Sequence, residues 1–245
     1  MAGHSKWANI QHRKGKEDAK RGKLFTKLVR EITVAARMGG PDPDANPRLR
    51  AAVVEAKKNS MPNDNIKRAI DKGAGGGDGG DLDEITYEGY GPGGVAFLVE
   101  TMTDNRNRTT PDIRHFFAKC GGNMGEAGSV AWQLTRQGYI EIPKEGRDED
   151  ALTELLLEVG ADDYEEGDEF WGIITAAEEL HQVREALEGA GVEPNSAKLV
   201  MTPNTEITVS GDTLQKVMKL MEMLDDYDDV QNVYNNADFD EAELA

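Results

Sequence analysis

Apolar residues recur at helical spacing through residues 17–38, where Leu24, Leu28, Ile32 and Ala35, with Phe25, Val29 and Ala36 beside them, form one broad apolar face. Lys20, Lys23, Lys27 and Arg30 follow the same period on a stripe roughly opposite, at about 100° per residue. Gly39-Gly40-Pro41 stops this helix. A second helix starts at Asn46-Pro47, a cap followed by proline at the first helical position, and ends near Asn59. A third runs over about 63–72, with Ile66, Ala69 and Ile70 inward, and closes at Gly73. The three make a small bundle with a helix–turn–helix flavour between the second and third. Six glycines in the eight positions Gly73–Gly80 then read as a flexible linker that lets the bundle reorient.

Beyond the linker, short strands alternate with helices. Residues 85–90 and 95–102 read as a hairpin across Gly91-Pro92-Gly93-Gly94, and Thr110-Pro111-Asp112 as the cap of a helix running to Lys119. Residues 129–134 read as a strand. The series 138–142, 150–159, 161–166, 169–175, 177–188 and 196–201 then has the β-α-β-β-α-β order of a ferredoxin-like unit. A closing strand–helix–strand, 206–210, 212–224 and 230–235, cannot cover its own sheet edge, so it is expected to return to the sheet begun at 85–134. The expected class is α+β in three lobes: a basic helical bundle at 1–75, an α+β domain at 76–134 plus 204–245, and a ferredoxin-like domain at 135–203 inserted into it.

Charge changes this picture more than composition does. The 245 residues carry a formal net charge of −18, yet residues 1–75 hold 17 Lys/Arg against 8 Asp/Glu and the remainder is strongly acidic. Such a split points to a basic module that meets nucleic acid, carried on an acidic body. The candidate contacts are Lys6, Trp7, Arg13, Lys14, Lys16, Lys20, Arg21, Lys23, Lys27 and Arg30. Lysine and arginine neutralise phosphates and release counterions, and a tryptophan can stack on an unpaired base. A second candidate surface is the pair of loops 103–108 and 121–128, with Asn105, Arg106, Arg108, Met124 and Glu126 as possible contacts. The acidic run Asp225-Asp226-Tyr227-Asp228-Asp229 reads as a solvated segment.

Catalytic chemistry is not visible. Gly89-Tyr90-Gly91-Pro92-Gly93-Gly94 matches GxGxxG letter for letter, but a strand follows where dinucleotide binding needs a helix N-terminus. His4, His12, His115 and His181 have no metal-ligand spacing, Cys120 is alone, and no nucleophile motif occurs. The expectation is therefore no catalytic residue, no metal and no cofactor. The start lacks a secretory pattern and no window is apolar enough to span a membrane, so a cytoplasmic protein is expected.

The strings Gly3-His4-Ser5-Lys6-Trp7-Ala8-Asn9-Ile10, Pro62-Asn63-Asp64-Asn65-Ile66, Thr103-Asp104-Asn105-Arg106-Asn107-Arg108-Thr109 and Gly125-Glu126-Ala127-Gly128-Ser129-Val130 resemble the bacterial YebC/PmpR family, which also includes a mitochondrial translational activator of cytochrome oxidase. The resemblance spans essentially the whole chain. It implies a non-enzymatic cytoplasmic regulator of three domains, one inserted in another. Two activities follow from it: DNA-binding transcriptional regulation, or ribosome-associated stimulation of translation through ribosomal RNA that eases stalls at proline-rich stretches. The expected partner is thus nucleic acid (DNA or ribosomal RNA), with the ribosome in the second case; no small-molecule substrate and a monomeric state are expected.

Overall fold

A computed structural model describes residues 17–75, 82–144, 146, 148–167 and 169–239, of which residues 17–21 are described by backbone alone. They are α+β and fall into two compact units. One runs to Val130 and adds Ser210–Val233; the other comprises Ala131–Val209 and the segment from Tyr234. The glycine-rich stretch expected as a linker lies mostly outside the described residues.

The first unit begins with helices α1 (Glu17–Gly39), α2 (Pro47–Lys58) and α3 (Asn63–Gly73). Leu28, Ile32, Ala35, Leu49, Val53, Ala56, Met61 and Ile66 share their core, as the 3.6-residue period demands. Asn46 joins two helix ends at once. Its side chain accepts from the Leu49 N–H at 3.1 Å and donates to the carbonyls of Ala35 and Gly40 at 2.7 and 2.9 Å. One buried residue thereby satisfies an orphan donor of α2 and ties the start of that helix to the backbone at the end of α1.

Strands β1 (Asp83–Tyr90) and β2 (Ala96–Thr103) form the expected hairpin, with Tyr90 opposite Ala96 and the Gly91 N–H donating to the Val95 carbonyl at 2.7 Å. Helix α4 (Arg106–Cys120) follows, then the two-residue strand β3 (Asn123–Met124), paired to β1 at Gly89 and Tyr90. Helix α7 (Gly211–Asp225) packs on α4, and strand β9 (Val230–Asn235) completes the sheet order β3-β1-β2-β9. Phe97 and Phe117 meet edge to face at 5.8 Å in the core beneath α4. Val34, Leu82 and Met102 form a small cluster between bundle and sheet.

The second unit has β4 (Leu134–Pro143), α5 (Glu149–Val159), β5 (Asp163–Glu166), β6 (Phe170–Ala176), α6 (Leu180–Gly189) and β7 (Ser196–Pro203). The order β5-β6-β4-β7, antiparallel throughout, is that of a ferredoxin-like sheet. Its core sets Ile140, Ile142, Trp171 and Ile173 against Leu152, Leu156, Val183 and Leu187 of the helices. Strands β8 (Ile207–Val209) and β10 (Ala237–Phe239) pair in parallel as a separate ribbon.

Three expectations change. Helix α4 starts at Arg106 rather than at Thr110, because the Asn105 side chain caps it by accepting from the Arg108 N–H at 3.1 Å; Pro111 lies inside the helix instead of at its start. Residues 131–133 form a 3-10 turn and β4 begins only at Leu134. Of the closing strands, β9 returns to the first sheet, whereas β8 pairs with β10.

Candidate nucleic-acid interface

Of the expected contacts, Lys6, Trp7, Arg13, Lys14 and Lys16 lie outside the described residues, as do the side chains of Lys20 and Arg21. Lys23, Lys27 and Arg30 are described, and the stripe they form meets carboxylates. Lys23 pairs with Asp226, Lys27 with Asp225 at 2.8 Å, and Arg30 with Asp229 at 2.7 Å. The 4-and-3 spacing that puts these cations on one side of α1 therefore docks them along the end of α7 and the turn before β9. The bundle is clamped to the neighbouring sheet within one unit. Arg37 adds a hydrogen bond to the Leu82 carbonyl, and Arg48 bridges Glu31 and Glu84, each at 2.7 Å.

Asp229 is the centre of this clamp. It is 2% exposed and accepts hydrogen bonds from Arg30 (2.7 Å), Arg108 (2.6 Å), Thr109 (2.6 Å) and Thr103 (3.1 Å), while its backbone carbonyl accepts from the Met102 N–H at 2.8 Å. Burial pushes its carboxyl up; the bonds from Arg108, Thr109 and Arg30 outweigh that and hold it below the usual carboxylate range. Arg108 is held protonated above its ordinary value, chiefly by the bond to Asp229. The 103–108 segment thus uses Arg108 to reach Asp229, and Asn105 as a helix cap, whereas Arg106 is exposed.

The 121–128 loop is held from beneath. Glu88, buried on β1, accepts from the backbone N–H groups of Gly128 and Val130, both at 2.7 Å, and Tyr90 donates to the Ser129 carbonyl at 2.9 Å. Met124 sits half-buried on β3, and Glu126 is exposed at the loop tip.

Sequence reasoning missed Asp229 and Glu88; beyond the α1 stripe the structure also exposes a second set of cations. Arg50 and Lys57 on α2, with Lys67, Arg68 and Lys72 on α3, are exposed and make no ion pair among the described residues. On α2 the outer face from Arg50 through Val54 to Lys57 and Lys58 carries no exposed carboxylate, since half-buried Glu55 is bonded to Asn59. On α3 the cations alternate with Asp64 and Asp71. The sequence offered one signal for this division, the local density of aspartates at 225–229, three of which pair with the α1 stripe. Among the described residues no group of His, Cys, Asp and Glu is arranged to hold a metal ion, and no helix is long and apolar enough to cross a membrane.

The family model of the TACO1/YebC protein N-terminal domain matches residues 5–76, and that of the TACO1/YebC second and third domain matches residues 82–237. A probable transcriptional regulatory protein of Geobacter sp. (strain M21) is 53% identical over 244 residues, spanning 100% of this chain and 98% of that one. A probable transcriptional regulatory protein of Chlorobaculum tepidum is 50% identical over 246 residues with the same coverage. The crystal structure of a conserved hypothetical protein, Aq1575 from Aquifex aeolicus, superposes with a TM-score of 0.85 at 50% identity, covering 92% of this chain and 93% of that one. Matched along nearly its whole length, in sequence and in fold, this chain belongs to the TACO1/YebC family.

Proposed function

We propose that the protein is a DNA-binding transcriptional regulator, non-enzymatic, cytoplasmic and monomeric, whose basic module at 1–75 grips the phosphate backbone. The α+β domains at 76–134 with 204–245 and at 135–203 position that module. The observation that carries the reading is the exposure of Arg50, Lys57, Lys67, Arg68 and Lys72 with no ion pair among the described residues, next to an α1 stripe whose described members Lys23, Lys27 and Arg30 each have a carboxylate partner. Lys6, Arg13, Lys14, Lys16, Lys20 and Arg21 extend the phosphate contacts, with Trp7 as a stacking residue; Asn105, Arg106, Met124 and Glu126 form a secondary surface. The names of the relatives agree with this role.

The mixed charges of α3 favour phosphate contact over base reading there, so most of the affinity is electrostatic. If about six phosphates are neutralised, log affinity falls against log salt with a slope of roughly −5. The test compares a promoter-fragment library, random duplex and ribosomes across a salt series, for the native chain and for K67E/R68E/K72E. A promoter preference of at least ~10³ over random duplex is expected for the native chain, and the variant should bind both duplexes more weakly by a similar factor. Equal DNA affinities together with co-sedimentation on ribosomes would overturn the reading.

A further inference from the structure

The Asp225–Asp229 segment offers α1 what a nucleic-acid strand would offer it: a row of anions matched to a row of cations. The row is graded. Side-chain exposure falls from 40% at Lys23 to 20% at Lys27 and 17% at Arg30, and among their partners from 60% at Asp226 to 33% at Asp225 and 2% at Asp229. Exposed pairs are worth little net and exchange readily with other anions, whereas a buried, multiply bonded pair does not. The weak end points along α1 toward Lys20, Lys16 and Lys14 in the sequence, and the strong end is fixed by the Thr103, Thr109 and Arg108 bonds to Asp229.

We propose that Lys23 and Lys27 are a masked site for a phosphodiester backbone, with Asp225 and Asp226 as its resident competitors. A nucleic-acid strand already held by the basic module displaces these two carboxylates while Arg30–Asp229 stays closed. The inference rests on the reading that the module binds nucleic acid, and adds its regulation: the acidic segment sets how strong a polyanion must be before α1 joins the contact. A single small anion gains too little from one lysine to displace either aspartate; a continuous backbone meets both lysines together with Arg50, Lys57, Lys67, Arg68 and Lys72, which hold no ion pair among the described residues.

The test uses the full chain, a short random duplex and fluorescence anisotropy between about 50 and 200 mM salt, the range over which counterion release is steep. D225N/D226N keeps shape and removes the competitors. It is expected to bind about tenfold tighter with a similar salt slope, because both chains make the same phosphate contacts and only the competing carboxylates are lost. K23Q/K27Q placed in that background is expected to abolish the gain. Thermal unfolding of each variant confirms that the fold, held by Asp229, is retained. An unchanged affinity in D225N/D226N, with native binding intact, overturns the masking and leaves the DNA reading standing. A gain that survives K23Q/K27Q overturns it as well, since bulk charge then suffices. No binding by native chain or variant overturns both.

Discussion

Replacing Asp229 by alanine tests whether the clamp on α1 holds the first unit together. The carboxylate is 2% exposed and receives four side-chain hydrogen bonds, two of them from arginines. Removing one partner of a buried ion pair usually costs about 3–5 kcal/mol, because the other charge stays behind. Three features place this site at the low end. Arg30 keeps the Met102 carbonyl, the hydroxyls of Thr103 and Thr109 keep each other at 2.8 Å, and Arg108, with 45% of its side chain exposed, turns to water. We expect a loss of about 3 kcal/mol, which at a urea dependence of about 2 kcal/mol per molar lowers the midpoint by roughly 1.5 M.

Asp229 and the side chains bonded to it all lie in one unit, which sharpens the assay. Trp171 is buried in the ferredoxin-like core and Asp229 lies in the other unit. In a Trp7→Phe, Trp132→Phe background the fluorescence transition of Trp171 reports its own core alone, while far-ultraviolet dichroism reports both. Asp229→Ala should split the dichroism curve and leave the Trp171 transition in place. The acid response follows from the lowered carboxyl. A folded pKa below the unfolded value, about 3.9, gives stability that is present above that value and lost as pH falls through the folded pKa. The difference between native chain and Asp229→Asn should therefore be constant above about pH 5 and narrow below about pH 4. A midpoint shift under about 0.5 M, or a Trp171 transition that moves with the dichroism, refutes the reasoning.

Three further outcomes are expected. Gly73→Ala would put a methyl 2.2 Å from the Thr33 carbonyl oxygen and 2.8 Å from the Ala36 Cβ, so α3 must move off α1; a cost of about 2 kcal/mol should appear in thermal unfolding. Glu88→Ala leaves the buried Val130 N–H without its acceptor, costing about 2 kcal/mol and accelerating hydrogen exchange at that amide and at Gly128 before the rest of the sheet. Arg48→Met removes bonds to Glu31 and Glu84 at a half-exposed site, and should cost under about 1 kcal/mol in the same urea assay.

Local pattern made most of the fold legible. The α1–α3 boundaries follow from the apolar period and from Gly39-Gly40-Pro41 and Asn46-Pro47, and the ferredoxin-like order from strands and helices long enough to show their periods. The misreadings were short or borrowed signals. Pro111 looked like a first helical residue only because the Asn105 cap was not recognised, and the three residues of β8 are too few to show which strand they pair with. The charge split was legible in the sequence, but the partners of the α1 stripe were not. Lys27 and Asp225 are separated by 198 positions, and from either end each reads as a solvated charge. Helical spacing says that Lys23, Lys27 and Arg30 share a side; only the return of α7 and β9 says what that side touches. This bears directly on how the interface must be probed. Reversing Lys20, Lys23, Lys27 and Arg30 to glutamate would set three of the new carboxylates against Asp225, Asp226 and Asp229, and any loss of DNA binding would then report a broken clamp. Reversing Lys67, Arg68 and Lys72, which hold no carboxylate among the described residues, reports contact with the nucleic acid itself.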